Sequence, residues 1–256
     1  TWNENVMNGT KYVWLAASSS FKGRGDLAKY EKARKLKKYI GKIRADYERN
    51  LQSKSASIFK KQRATAMWII DRLALRVGNE KDDDEADTVG TCSLRVEHLK
   101  FDSSGKDGQS KQVITLDFLG KDSMRHLQTI DLGKRYGDIG VHIYNNLERF
   151  CTKKKKDVEI FDKLSVGELN DHLKSLMPGL SAKVFRTYNA SNTLELELPD
   201  NVVNEPIGQK VILYNEANRK VAILCNHQKT VSKAFNEGME KMGEKLAIYK
   251  SQVEEI

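Results

Sequence analysis

The sequence predicts an α+β fold that is mostly helical and carries one small antiparallel sheet of three strands. Two observations indicate this class. Apolar residues recur at helical spacing over long stretches, and only three prolines interrupt the 256 residues, so long helices are possible. Between Cys92 and Asp131 the apolar period changes to two, which is typical of short strands joined by polar turns.

The first helix is predicted over 26–50, because Asp26 is a suitable N-cap. An extended segment at 10–21 and a basic, glycine-containing loop at 22–25 are expected before it. A second helix is predicted over 55–77. It should end at Gly78, since glycine is favoured just beyond a helix C-terminus.

The sheet is predicted as a meander of strands at 94–98, 112–119 and 124–131, with a tight turn at 120–123 between the last two. Beyond it the helical period returns. Further helices are expected over 139–150, 165–176, 181–198, 208–225 and 230–256.

Positive charge is concentrated near the start of the chain, whose formal net charge is +9. The stretch 22–63 holds 15 Lys or Arg and four acids, an excess of +11, whereas the rest of the chain carries −2. Such a concentration favours a polyanionic partner, most often a nucleic acid. The alternatives are a solvated helix face with internal ion pairs and, more weakly, a membrane surface.

Several other classes are excluded by what the sequence lacks. No apolar run approaches the roughly 18 residues of a membrane span, and the start has no signal-peptide pattern. The three cysteines are scattered, which argues against a disulfide framework or a zinc site. Walker, HExxH and nucleophile-elbow motifs are missing. The acids at 82–85 are consecutive, so we expect no metal site there.

Four short motifs, read together, carry a resemblance. In chain order they are RVGNEK at 76–81, FLGKDS at 118–123, AKVFRTYNAS at 182–191 and LCNHQ at 224–228. In this order and at these separations they closely resemble the catalytic core of eukaryotic type IB DNA topoisomerases, along nearly the whole chain. The resemblance implies a tyrosine-recombinase-like catalytic fold and a nuclear isomerase acting in DNA replication and transcription.

That family relaxes supercoiled double-stranded DNA by transient cleavage of one strand. A tyrosine forms a 3′-phosphotyrosyl link and the link is later reversed, with neither metal nor ATP as a cofactor. Matched by motif, Arg76, Lys121, Arg186 and His227 are the catalytic helpers. Their types suit the chemistry, because charge on a phosphoryl transition state must meet fixed donors when no metal is used. Two arginines can each bind two oxygens, and Lys121 is expected to protonate the leaving 5′-oxygen.

Taken singly, each helper has a simpler explanation. Arg76 could complement a helix dipole, Lys121 could be an ordinary turn lysine, Arg186 could be a structural arginine, and His227 could cap a helix. The resemblance also implies a set of DNA-contacting residues. They are Lys11, Tyr12, Lys29, Asn79, Lys81, Thr88, Asp122, Asn170, Ser181 and Lys183.

The family's nucleophile is not found in this sequence. None of the nine tyrosines lies in the Ser-Lys-x-Asn-Tyr-like motif, and Tyr249, the last of them, falls in a helical tail. We therefore expect a tyrosine-bearing C-terminal domain or small subunit as a partner. The resemblance assigns 1–19 to the end of an upstream DNA-clamp cap domain, 20–229 to the catalytic core and 230–256 to the start of a helical linker.

Two other functions are kept as alternatives. A tyrosine recombinase would use the same Arg, Lys, Arg and His logic but needs sequence-specific sites. A non-catalytic basic chromatin or RNA-binding module would explain the charged stretch but not the four motifs.

Overall fold

The computed structural model describes residues 2–3, 10–11, 14–78, 87–105, 108–200, 202, 204–227 and 233–254. The chain divides into two compact units, Thr1–Cys225 and Asn226–Ile256. The predicted class is confirmed, since the described residues are mostly helical and include one antiparallel sheet of three strands. None of the helices in these ranges is long and apolar enough to cross a membrane.

The first unit contains six of the described helices and five strands. Two short strands, β1 (Trp2–Asn3) and β2 (Thr10–Lys11), pair with each other. The helices are α1 (Ser20–Gln52), α2 (Ile58–Arg72), α3 (Leu132–Cys151), α4 (Val166–Leu176), α5 (Ala182–Glu197) and α6 (Ile207–Leu224).

Helix α1 begins six residues before the predicted start, so the predicted basic loop at 22–25 and the last two residues of the extended segment predicted over 10–21 are helical instead. The first two residues of that segment are extended as predicted, in β2. Residues 20–32 are all exposed, and Gly23 lies inside the helix with open space where a side chain would be. Each interior glycine costs about 1 kcal/mol. Adding turns to an existing helix is easier than nucleating one, and the buried residues from Ala33 onward hold the rest of α1 in place.

Two other helix ends differ from the prediction by more than three residues. Helix α2 ends at Arg72, not at Val77, because the following carbonyls bond to other parts of the chain. Helix α3 begins at Leu132, seven residues early, and bends at Gly137, whose φ is +55°. The side chain of Asp131 caps α3 by accepting a hydrogen bond from Lys134 N.

The sheet consists of β3 (Leu99–Asp102), β4 (Val113–Leu119) and β5 (Arg125–Asp131), in that order and antiparallel. The second and third strands agree with the prediction to within a residue. The first was predicted five residues too early. Residues 94–98 are not a strand of the sheet: Val96–His98 form a 3₁₀ turn, and the segment bonds to 156–160, where Val96 N donates to Val158 O and Ile160 N to Leu94 O.

The core of the first unit lies where α1, α2 and α5 pack together. Trp68, Tyr47 and Phe185 are fully buried there. One carboxylate is buried among them: Asp71 accepts two hydrogen bonds from Arg44, at 2.8 and 3.1 Å, and one from Tyr47 Oη at 2.7 Å. Burial, followed by the charge of Asp71, raises the pKa of Tyr47, so the phenol stays protonated as a donor.

Asp162 links the loop after α3 to α2 and makes the first unit sensitive to acid. Burial would raise the pKa of Asp162, but hydrogen bonds from Lys154 and Gln62 to Oδ1 outweigh this and lower it to about 2. The folded-state pKa is below the unfolded value, so the stabilisation is complete above about pH 4 and is lost toward pH 2.

We expect Asp162→Asn to lower the free energy of unfolding by about 1 kcal/mol at pH 7 and by clearly less at pH 2.5, as measured by urea denaturation. Asp157→Asn, a change at an exposed position of the same loop, is the control. An equal loss for Asp162→Asn at both pH values would contradict the assignment.

The second unit contains α7 (Lys233–Glu254), within the helix predicted over 230–256. Phe235, Met239, Met242, Leu246 and Tyr249 follow one stripe of α7 at alternating spacings of four and three, and all are more than half exposed.

Candidate active site

A cleft of about 610 Å³ lies in the first unit between α4, the loop at 88–90 and three parts of the chain that carry the predicted catalytic or DNA-contacting residues. They are the segment that follows α2, the turn between β4 and β5, and the N-terminal part of α5. The lining residues are 75–78, 88–90, 121, 166, 170, 181–183 and 186. Three of the four predicted catalytic helpers, Arg76, Lys121 and Arg186, are among them.

Arg76 projects from the irregular segment that follows α2. Leu73 caps the helix, and Ala74 takes a positive φ of 52°, which turns the chain away from the helix axis. The segment then runs against the loop at 90–92, where Thr91 N donates to Arg76 O and Cys92 N to Val77 O. The Arg76 side chain is exposed to the cleft, while its peptide is fixed from behind.

Two glycines allow this close approach of two backbones. Gly78 has a φ of +86°, and a Cβ on Gly90 would collide with the backbone nitrogen and Cα of Gly78. A side chain at either position would push the segment carrying Arg76 away from the loop that holds it.

Arg186 lies on α5 and is half-buried beneath the cleft. Nη1 donates to Ala74 O at 3.0 Å, and Nη2 donates to Cys225 O. Burial lowers the pKa of Arg186; Cys225 opposes this, and the charge of nearby Arg76 lowers the pKa further. Arginine remains protonated even so. Two of its five donors therefore bind the protein, and the others remain for a ligand.

Lys121 sits on the turn between β4 and β5, a short 3₁₀ turn over Lys121–Ser123. Asp122 has a φ of 62° and Ser123 one of 55°, so the turn is tight and left-handed. Lys121 Nζ lies 3.7 Å from Asp122 Oδ2, with 62% of the lysine side chain exposed. An exposed pair at that distance is weak, so Nζ can turn toward a ligand in the cleft.

Comparison with known proteins identifies the family. The family model described as eukaryotic DNA topoisomerase I, catalytic core, matches residues 18–256. The chain belongs to the eukaryotic DNA topoisomerase I family.

Named relatives agree with this topoisomerase assignment. DNA topoisomerase 1 of Caenorhabditis elegans is 49% identical over 267 residues, covering 100% of this chain and 31% of the relative. The Schizosaccharomyces pombe protein of that name is 49% identical, covering 96% and 28%, and the Homo sapiens protein is 46% identical, covering 99% and 32%. The chain thus spans about a third or less of these relatives.

Four of the DNA contacts predicted from the topoisomerase resemblance line the same cleft: Thr88, Asn170, Ser181 and Lys183. The Ser181 side chain makes no capping bond to the first turn of α5; the Asn170 side chain caps it instead, with Oδ1 accepting from Ala182 N at 2.9 Å. The beginning of α5, where backbone N–H groups favour an anion, therefore borders the cleft.

The other predicted contacts lie elsewhere. Asp122 is exposed beside Lys121, and Lys29 is on the exposed first part of α1. Lys11 is in β2, where only its backbone is described. Tyr12, Asn79 and Lys81, and the acidic loop at 82–85, fall outside the described residues.

His227, the fourth helper predicted from the topoisomerase motifs, belongs to the second unit and is exposed. It follows Asn226, which takes a positive φ of 46°. His227 therefore lies in the non-helical residues at the start of the second unit.

No tyrosine is among the described residues that line the cleft. Tyr47, Tyr144 and Tyr188 are buried, and Tyr214 and Tyr249 are exposed on α6 and α7. Within the ranges that the structure covers, no three His, Cys, Asp or Glu side chains are grouped as metal ligands would be.

Sequence reasoning missed three residues that support the site. Asn189 donates from Nδ2 to Asp71 O, Thr91 binds Arg76 O, and Asp71 anchors the end of α2. One of the three could have been found from the sequence, because Asp71 is a carboxylate inside an otherwise apolar helical run. Thr91 has no such feature in the sequence, and Asn189 was identified only as part of the 182–191 motif.

Proposed function

We propose that this chain carries the catalytic core of a type IB DNA topoisomerase, with 20–229 as the core domain, 1–19 as the end of a DNA-clamp cap domain and 230–256 as the start of a helical linker. It relaxes supercoiled DNA in the nucleus by cutting one strand through a 3′-phosphotyrosyl link and rejoining it, without ATP or metal. The tyrosine comes from a C-terminal domain or small subunit outside these residues, and an N-terminal cap domain completes the clamp around the duplex. One observation carries the proposal: in a chain of this family, Arg76, Lys121 and Arg186 line one cleft.

The cleft is suited to a phosphodiester. Its volume of about 610 Å³ falls in the range of ligand sites and accommodates a phosphate with its neighbouring sugars. Arg76 is exposed to it, and Arg186 contributes the donors that the backbone carbonyls do not occupy. The two guanidinium groups bind the non-bridging oxygens and neutralise the charge that grows there as the tyrosine oxygen attacks.

The leaving group needs a proton. The tyrosine attacks as its phenolate, after its proton has passed to solvent water, and it leaves again as the phenolate in rejoining. As the bond from phosphorus to the phenolate oxygen forms, the bond from phosphorus to the 5′-oxygen breaks, and Lys121 Nζ donates its proton to that oxygen. A lysine on a narrow β-turn is suited to reach into a groove of the duplex. In rejoining, the 5′-hydroxyl returns its proton to Lys121 and attacks phosphorus, which releases the tyrosine. From the motif match alone, we propose His227 as a further donor to the phosphate.

The affinity of the chain for duplex DNA, before any strand is cut, is proposed to depend on the basic stretch at 22–63. The charge excess of +11 over 22–63 lies mostly on α1, whose first turns are exposed. Each phosphate contact releases counterions, so affinity for duplex DNA should fall steeply with salt and show little dependence on sequence.

Reconstitution tests the proposal. Residues 1–256 alone should bind plasmid DNA but not relax it; adding a polypeptide with the Ser-Lys-x-Asn-Tyr motif should restore relaxation of plasmids of any sequence. The control is the same polypeptide with Tyr→Phe, which should restore nothing.

Three results would overturn this function. Full relaxation by residues 1–256 alone would place the nucleophile within them. Activity only at a particular DNA sequence would favour a recombinase. Tight DNA binding, with no relaxation by any such complement, would favour the non-catalytic module.

A further inference from the structure

The strongest unassigned feature near the cleft is Thr91, which lies directly behind Arg76. Thr91 is fully buried, yet it faces the peptide of an exposed residue. Its backbone N donates to Arg76 O at 2.8 Å, and its Oγ1 donates to the same oxygen at 3.0 Å. Both lone pairs of that carbonyl are therefore used by one residue.

The segment 73–78 needs such an anchor because it lies beyond the C-terminal end of α2. Residues 73–78 have no helical hydrogen bonds of their own beyond the cap at Leu73, and Ala74 adopts a left-handed conformation. On one side the segment is held by Arg186 through Ala74 O. On the other it is held by the loop at 90–92, where Thr91 binds the peptide of Arg76 itself.

The geometry points to a role in orienting the Arg76 side chain. We infer that the Thr91 hydroxyl is a positioning group for Arg76, an inference that rests on the proposed function. A guanidinium stands several bonds from its own Cα, so a small tilt of the Arg76 peptide becomes a larger displacement at the phosphate. Displacements of about 1 Å in a catalytic group can cost a hundredfold in rate.

Thr91→Val tests the hydroxyl with little change of volume. The new methyl would stand where Oγ1 is, 3.0 Å from Arg76 O, which is closer than the roughly 3.3–3.6 Å of ordinary C···O contacts. The Arg76 peptide must shift to relieve that contact. Thr91→Ser keeps the hydroxyl and removes only the methyl, so it should preserve the position of Arg76.

The experiment measures single-turnover cleavage of a DNA duplex by residues 1–256 together with the tyrosine-bearing polypeptide. We expect Thr91→Val to lower the cleavage rate about tenfold and Thr91→Ser less than twofold, while the DNA dissociation constant changes less than twofold for both. Thr65→Val is the matched control, because Thr65 is equally buried but bonds to Asn146 in the core. It should leave the cleavage rate unchanged.

A double-mutant cycle separates positioning from general destabilisation. In an Arg76→Ala background, Thr91→Val should have no further effect on the rate, because the group that it positions is gone. A further tenfold loss there, or an equal loss from Thr65→Val, would overturn the inference. So would a normal rate for Thr91→Val.

The proposed function fails in a different way. If Arg76→Ala leaves the cleavage rate unchanged, the assignment of Arg76 is wrong. If Arg76→Ala slows cleavage and Thr91→Val does not, only the positioning role is lost. Thermal unfolding of each variant verifies that a slow rate belongs to a folded protein.

Discussion

Arg186→Ala is expected to slow strand cleavage by about a thousandfold when residues 1–256 are assembled with a tyrosine-bearing polypeptide, as the proposed function requires, while DNA affinity changes less than about threefold. Removing a donor to a developing phosphoryl charge costs on the order of 10²–10⁵ in rate. A thousandfold corresponds to about 4 kcal/mol of lost transition-state stabilisation. Single-turnover cleavage and DNA titration measure the two quantities separately.

Two variants complete that experiment. Arg186→Lys keeps the charge but cannot hold two backbone carbonyls and a phosphate with one planar group, so it should recover little of the rate. Arg219→Ala removes an exposed arginine of α6 that pairs with Glu216, and it should have no effect. Equal losses of binding and cleavage in Arg186→Ala would assign Arg186 to DNA affinity and contradict a role in the reaction.

Asp71→Ala is expected to lower the free energy of unfolding by about 3–5 kcal/mol, the usual cost of removing one partner from a buried ion pair. The Asp71 side chain has no solvent exposure, and its loss would leave Arg44 and the fully buried Tyr47 without an acceptor. Urea denaturation, followed by the signal of the buried Trp68, measures the change.

The control for Asp71 is an exposed carboxylate. Asp171 pairs with Lys174 at the surface with 73% of its side chain exposed, so Asp171→Ala should change stability by less than about 0.5 kcal/mol. Asp71→Asn should lie between the two, since an amide oxygen still accepts from Tyr47. A loss under 1 kcal/mol for Asp71→Ala would mean that the buried network contributes little.

Helical periodicity predicted the fold class and the location of all seven described α-helices, because burial of one helix face leaves a record in the sequence. The errors have tertiary causes. Helix α2 ends at Arg72 because Asn189 and Arg186 bind the carbonyls of Asp71 and Ala74 from a helix more than a hundred positions away. No local pattern near Gly78 carries that information.

The first strand was misplaced for a related reason. Residues 94–98 do alternate and do pair, but they pair with 156–160 and not with the sheet. Alternation reports which side of a segment is buried, and it does not identify the partner. The turn carrying Lys121 was predicted well because a short hairpin is a local structure.

In the candidate site, too, local motifs were predictable and long-range contacts were not. Each of Arg76, Lys121 and Arg186 could be predicted because it lies in a distinctive motif, and in the structure all three line one cleft. Thr91 could not be predicted, since its importance lies in two hydrogen bonds to one carbonyl of an irregular segment. The partners of Asp71 could not be predicted either, because Arg44 and Tyr47 lie on another helix.

The attachment of Arg186 has a consequence for folding on the ribosome. Arg186 bonds to Ala74 across 112 positions of sequence and to Cys225 across 39. Contacts of such separation form late, whereas α1 is local and is synthesised first. The basic helix of a nascent chain is therefore complete well before Arg76 and Arg186 are brought to one cleft. Under the proposed function, we expect unfinished molecules to bind a duplex but to lack strand cleavage until the native state is reached.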